Sequence, residues 1–177
     1  MKLKFIAFCF FAACCLASCS NAPKENDERE VLVSRIASIN KKMFDKKTME
    51  FDKNLAEKGI AIYGDFAAKF PDDSLTAEYL FRRSDLQRAV GDNQSALKTL
   101  SGICNRYPDY KKVPECIFLE GYYSQEFFKD TVAAKQFYQE LLSKYPNHPF
   151  ADDAKALMKM FGKSEEDIIK DFEKKNQ

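Results

Sequence analysis

Two stretches decide the fold: Ala77–Pro108, AEYLFRRSDLQRAVGDNQSALKTLSGICNRYP, and Glu115–Pro146, ECIFLEGYYSQEFFKDTVAAKQFYQELLSKYP. They align without a gap, 38 residues apart, with Gln87 on Gln125, Asp92 on Asp130, Ala96 on Ala134 and Tyr107-Pro108 on Tyr145-Pro146. Apolar Leu80, Leu100 and Ile103 fall on Phe118, Tyr138 and Leu141. Phe70-Pro71 lies 37 residues before Tyr107-Pro108 and repeats the same punctuation. A fixed period of this length marks stacked supersecondary units, each too small to bury its apolar face alone.

Within a unit the apolar spacing follows the helical period and not the alternation of a strand. The pattern predicts helices at 28–44, 53–69, 75–90, 94–106, 113–128, 131–144, 150–161 and 165–175. Gly91-Asp92 and Lys129-Asp130 mark tight turns between the two helices of a pair. Pro71, Pro108 and Pro146 end the second helix of each pair, and Pro149 suits a first turn. Ser164 with Asp167 resembles a capping box, followed by an apolar stripe of Ile168, Ile169 and Phe172.

Paired antiparallel helices with this period resemble tetratricopeptide repeats, over roughly residues 53 to 161. The small residue at the helix crossing falls on Gly59, Ala96 and Ala134, and the large residue after it on Tyr63, Leu100 and Tyr138. There are departures. The small first-helix position holds Ser84 in one unit and Tyr122, after Gly121, in the next. The small residue near each terminal proline is replaced by Phe66, Ile103 and Leu141. The resemblance implies an all-α right-handed superhelix of about three repeats, with a C-terminal capping helix and a concave groove made by the first helix of each pair. Carried across, the groove positions are Glu78, Phe81, Asp85, Arg88 and Ala89, then Cys116, Leu119, Tyr123, Glu126 and Phe127. They suit a partner peptide with apolar anchors and charges. Ordinary inter-repeat core is the alternative for the apolar ones. In the pairs Tyr122-Tyr123 and Phe127-Phe128, adjacent helical residues point about 100° apart, so one of each pair is expected to be less buried.

The N-terminus reads differently. Met1-Lys2-Leu3-Lys4 precedes an apolar run from Phe5 to Leu16, the layout of a secretory signal. The run is shorter than the roughly 20 residues of a spanning helix. It ends in Leu16-Ala17-Ser18-Cys19, which resembles the lipobox of bacterial lipoproteins. That resemblance implies cleavage before Cys19, acylation of its thiol (palmitate among the chains), and stable anchoring, since two or more chains hold where one does not. Ser20, where Asp would favour the inner membrane in that class, points to the outer membrane. The expected organisation is a signal at 1–18, a flexible tether at 19–30 and a repeat domain at 31–177. The whole most resembles periplasmic tetratricopeptide lipoproteins, among them the assembly lipoprotein of the outer-membrane β-barrel machinery and the repeat domain of cell-division coordinators.

Composition bounds the chemistry. Lys and Arg total 28 against 27 Asp and Glu, which leaves no basic footprint for nucleic acid. The single histidine, His148, sits in a turn, so no Ser-His-Asp or Cys-His arrangement has support. No phosphate-binding glycine loop is present, and Asp152-Asp153 and Glu165-Glu166 occupy helix first turns, where the dipole accounts for them. No enzyme activity, metal or cofactor is expected. Cys104 and Cys116 close a loop of about a dozen residues; an oxidising envelope permits a bridge between them, and two buried unpaired thiols are the alternative. The expected function is a membrane-anchored adaptor that docks an envelope protein in its groove, on the periplasmic face rather than the cell surface. A part in β-barrel assembly and a glycan- or peptidoglycan-associated module are its rivals.

Overall fold

The structure is a computed structural model that describes residues 25–43, 51–163 and 166–167. The helices are α1 (Glu25–Met43), α2 (Lys53–Lys69), α3 (Thr76–Ala89), α4 (Asn93–Arg106), α5 (Val113–Glu126), α6 (Thr131–Lys144) and α7 (Phe150–Met160). Among the described residues there is no strand. Each helix packs on its neighbours in sequence, and α5 also touches α7, giving an all-α superhelical stack of antiparallel pairs. First helices α1, α3, α5 and α7 form one face, and α2, α4 and α6 the other.

The same local chemistry bounds each second helix. Asp52, Asp92 and Asp130 accept the backbone N–H groups of Leu55, Ser95 and Ala133 at 3.0, 3.1 and 2.9 Å, so each helix start has a carboxylate cap. At the far end Phe70, Tyr107 and Tyr145 leave the helical region with φ between −124° and −135°. The proline after each aromatic disfavours the α conformation in the residue before it, which ends the helix there. The turns also match: Gly91 has φ 90° and Lys129, its equivalent 38 residues on, has φ 54°.

The predicted bounds of α2 and α6 hold to the residue, and α5 ends two residues earlier than expected. The stretch 20–30 reads as a tether, yet α1 begins inside it at Glu25. The reason is tertiary. Arg29 Nε meets Asp73 Oδ2 at 2.5 Å and Lys69 pairs with Glu28, so charges that look solvated in sequence fasten α1 to the first repeat. Cys19, the signal run, Ile168, Ile169 and Phe172 lie outside the described residues, as does Ser164 of the capping box.

The core runs through the stack in three clusters, the last two joined through Cys104 and Tyr110. Leu32 and Ile36 of α1 join Ile62, Tyr63 and Phe66 of α2 and Tyr79 of α3. Ala96, Leu100 and Ile103 of α4 meet Cys116 and Tyr123 of α5. Ile117, Tyr138, Leu141 and Ala154 bind α5, α6 and α7. Ala96 and Ala134 are fully buried at the helix crossings, the places where small side chains let the backbones approach. Gly121 serves the same end from the other side, because a Cβ there would lie 2.6 Å from the Tyr138 ring.

Candidate docking surface

The face of first helices is polar where α3 begins and apolar where α5 ends. Glu78 anchors the polar end. Its Oε2 accepts the Tyr110 hydroxyl at 2.7 Å and Lys112 Nζ at 3.0 Å, and its Oε1 accepts Arg82 Nε at 2.9 Å. Burial alone would raise its pKa, but these three donors outweigh burial and hold the carboxyl down at about 2. Glu78, expected to touch a partner, is spent on its neighbours. It fixes Tyr110 and Lys112, and Lys112 Nζ lies 4.6 Å from the centre of the Phe81 ring. Glu78, Arg82, Tyr110 and Lys112 border an open depression of about 890 Å³ between the α2–α3 and α4–α5 loops.

Further along the face, Asp85 has its carboxyl raised by burial, with Arg88 and Lys112 opposing the rise. Arg88 is exposed. Tyr123 beside it is 1% exposed and belongs to the core with Leu100 and Ile103. Burial pushes its hydroxyl up to about 12, against the charge of Arg88. Tyr123 and the fully buried Cys116 therefore form the floor of the surface and not its contacts. Ala89 and Glu126 are exposed, and Leu119 is half-buried.

The apolar end is a corner where α5 stops and α6 starts. Tyr122 is 38%, Phe127 38%, Phe128 44% and Val132 69% exposed. Tyr122 and Phe127 meet edge to face, 6.5 Å apart at 81°, and Phe127 rests on Tyr123 at 5.4 Å. From this corner a groove of about 400 Å³ runs between α5 and α7, with Phe118, Leu119 and Tyr122 on one side and Ala156 and Leu157 on the other. The expected asymmetry holds for Tyr122 and Tyr123. It does not hold for Phe127 and Phe128, which are both exposed because α5 ends at Glu126 and the helical angle no longer applies. Val132 and the α7 wall were not among the expected contacts. The 38-residue register reaches α7 only through Pro146, and Val132 reads as an ordinary first-turn residue.

Cys104 and Cys116 lie side by side at the α4–α5 interface, both as free thiols. Cys104 Sγ donates to Glu120 Oε2 at 3.5 Å. The hydrogen bond with Cys116 and then burial push the Cys104 thiol well above its ordinary value. His148 Nδ1 accepts the Phe150 N–H at 3.3 Å, and its Nε2 stands 3.7 Å from Glu115 Oε2. Among the described residues, no three His, Cys, Asp or Glu side chains gather as metal ligands, and no helix is long and apolar enough to cross a membrane.

Residues 116–148 match the model of the tetratricopeptide repeat. They cover most of α5, all of α6 and the turn beyond, the pair that carries the exposed corner. Repeats of this kind generally bind protein partners. No curated protein matches the chain.

Proposed function

We propose that this chain is an envelope adaptor, held at the outer membrane by lipid on Cys19, that docks another protein on the face formed by α3, α5 and α7. The corner of Tyr122, Phe127, Phe128 and Val132 carries this reading. Tyr122 lines an apolar groove and meets Phe127 edge to face, and Phe128 and Val132, also exposed, follow within five residues across the α5–α6 turn. Contiguous exposed apolar surface is uncommon on a protein without a partner, and aromatic side chains dominate binding hot spots. Arg88 and Glu126 flank the corner with one charge of each sign, which suits a partner segment with apolar anchors and complementary charges.

The lipobox-like Leu16-Ala17-Ser18-Cys19 supports the anchor, and the polar stretch after it supports a short reach from the membrane to the repeats. A role in β-barrel assembly is a narrower form of the same reading. The glycan reading has less support. Sugars stack on flat aromatic platforms, whereas Tyr122 and Phe127 stand at 81° to each other and present an edge.

The test is photo-crosslinking in cells from p-benzoylphenylalanine at Phe127, with exposed Lys58 of α2 as control. One dominant protein adduct from position 127 and none from 58 is the expected result. Adducts from 58 alone would move the docking surface elsewhere. For the anchor, Cys19→Ala is expected to leave the membrane fraction, and its continued sedimentation with membranes would refute lipid attachment.

A further inference from the structure

The opposite face also holds a groove, lying between α2 and α4 with α3 as its floor and a volume of about 500 Å³. Its walls are low. Gly64, Ala67 and Ala68 line one side, and Gly102 lies on the other, where an added Cβ would meet nothing within 4 Å. Its charge is one-sided, because Arg83 rises from the floor while Lys98 and Arg106 line the α4 wall. Two carboxylates lie nearby: Asp92 caps α4, and Asp72, 95% exposed, makes a loose, solvated ion pair with Arg106 at 3.7 Å. Arg83 Nε is closed off from solvent and has no hydrogen-bond partner. That nitrogen is out of reach from the groove, so an incoming carboxylate would meet the rest of the guanidinium, which lies over Gly64 on the α2 side.

The next repeat shows that this groove is not a by-product of the fold. Thirty-eight residues on, Arg83 becomes Gly121, Lys98 becomes Gln136 and Gly102 becomes Glu140. The space above Gly121 is taken by the Tyr138 ring, and the counterpart of Arg106, Lys144, is neutralised by Glu140 at 2.8 Å. The first set of positions is open and basic, while the equivalent set carries a ring over its glycine and an ion pair of its own.

We infer that the α2–α4 groove is a second binding site, and that its ligand is an acidic polypeptide segment with small side chains between its carboxylates. Lys98 and Arg106 stand two helical turns apart on α4, about 12 Å, which fits carboxylates spaced along a chain and not a single convergent anion. Glycine and alanine walls admit a main chain at close range. Gln87, 4% exposed, lies in the floor with its Oε1 accepting Thr99 at 2.8 Å. Near-neutral overall charge argues against nucleic acid, and cations set in a depression rather than on a plane argue against a lipid surface.

Fluorescence anisotropy on the full chain tests this, with a labelled peptide of alternating Glu and Ala as probe. A Lys–Ala peptide, a single-stranded oligonucleotide and phosphatidylglycerol vesicles serve as competitors. Saturable binding that weakens with salt is expected, reduced roughly tenfold or more by the double variant Lys98→Gln/Arg106→Gln and by Gly102→Leu, which fills the groove. Both variants alter exposed positions, and circular dichroism melts check that they fold. No binding of the acidic peptide, equal binding of the Lys–Ala peptide, preference for oligonucleotide or vesicles, or folded variants that bind like wild type would each overturn the inference. Crosslinking from Phe127 is independent of all these outcomes, so this site and the docking face fail separately.

Discussion

Glu120 sits on α5 with 3% of its surface exposed, facing Cys104. Burial raises its pKa to about 7, only partly opposed by Cys104 and Ser101. A carboxyl whose folded pKa exceeds its unfolded value binds protons more tightly when folded. Its contribution is therefore most favourable below the unfolded value near 4.5 and is lost as pH rises through about 7. Glu120→Gln is expected to stabilise the protein at pH 8 by up to about 3 kcal/mol and to flatten the stability profile between pH 5 and 7. Urea melts across that range measure it, and a variant no more stable than wild type at pH 8 refutes it. The neighbouring Gly121 predicts the opposite sign. Gly121→Ala drives a Cβ to 2.6 Å from the fully buried Tyr138 ring and is expected to cost about 1–3 kcal/mol, despite the better helix propensity of alanine. Neither residue could be placed from sequence. Glu120 looks like one more surface charge because its burial depends on α4 lying across it. Gly121 reads as a helical small residue one position out of register.

At the scale of the element, periodicity and punctuation carried most of the information. Proline after an aromatic, aspartate at each second-helix start and a shared turn bounded α2, α4 and α6 to within a residue. The turn also yields a test, since Gly91 and Lys129 both occupy the left-handed region but only glycine does so without steric cost. Lys129→Gly is expected to stabilise by about 1 kcal/mol and Gly91→Ala to destabilise by a similar amount. Thermal unfolding of the pair decides it, and equal signs would sink the argument. What sequence missed at this scale was set by partners elsewhere in the chain. The start of α1 depends on Asp73 and Lys69, 44 and 41 residues away, through ion pairs that no local pattern announces.

Over the whole molecule each helix touches mainly its sequence neighbours, so stability should add up along the stack and fall toward the ends. Hydrogen exchange is expected to be slowest in α4 and α5, whose faces are covered on both sides, and faster in α1 and α7. Uniform protection would mean that the stack opens as a single unit. The groove register was legible for α3 and α5, because equivalent positions in a repeat share a face. Which of those positions reach solvent was not legible. That depends on where α5 stops, on Glu78 being consumed by Tyr110 and Lys112, and on α7 supplying the opposite wall.

One bond between repeats has a mechanical meaning. The Tyr107 hydroxyl donates to the Pro71 carbonyl at 2.8 Å, stitching the end of one pair to the end of the one before. Its counterpart Tyr145 turns its ring into the core of α5, α6 and α7 instead. A load pulling the two ends of the stack apart therefore meets two joints braced at different places: the first where the pairs end, the second further in, by Cys104 on Glu120 and by Tyr110 and Lys112 on Glu78. At the second joint the Tyr145 end of α6 is held by ring packing, and that end lies a helix length away from the corner of bare rings. Strain along the coil would open there first and leave the grip of the docking corner undisturbed.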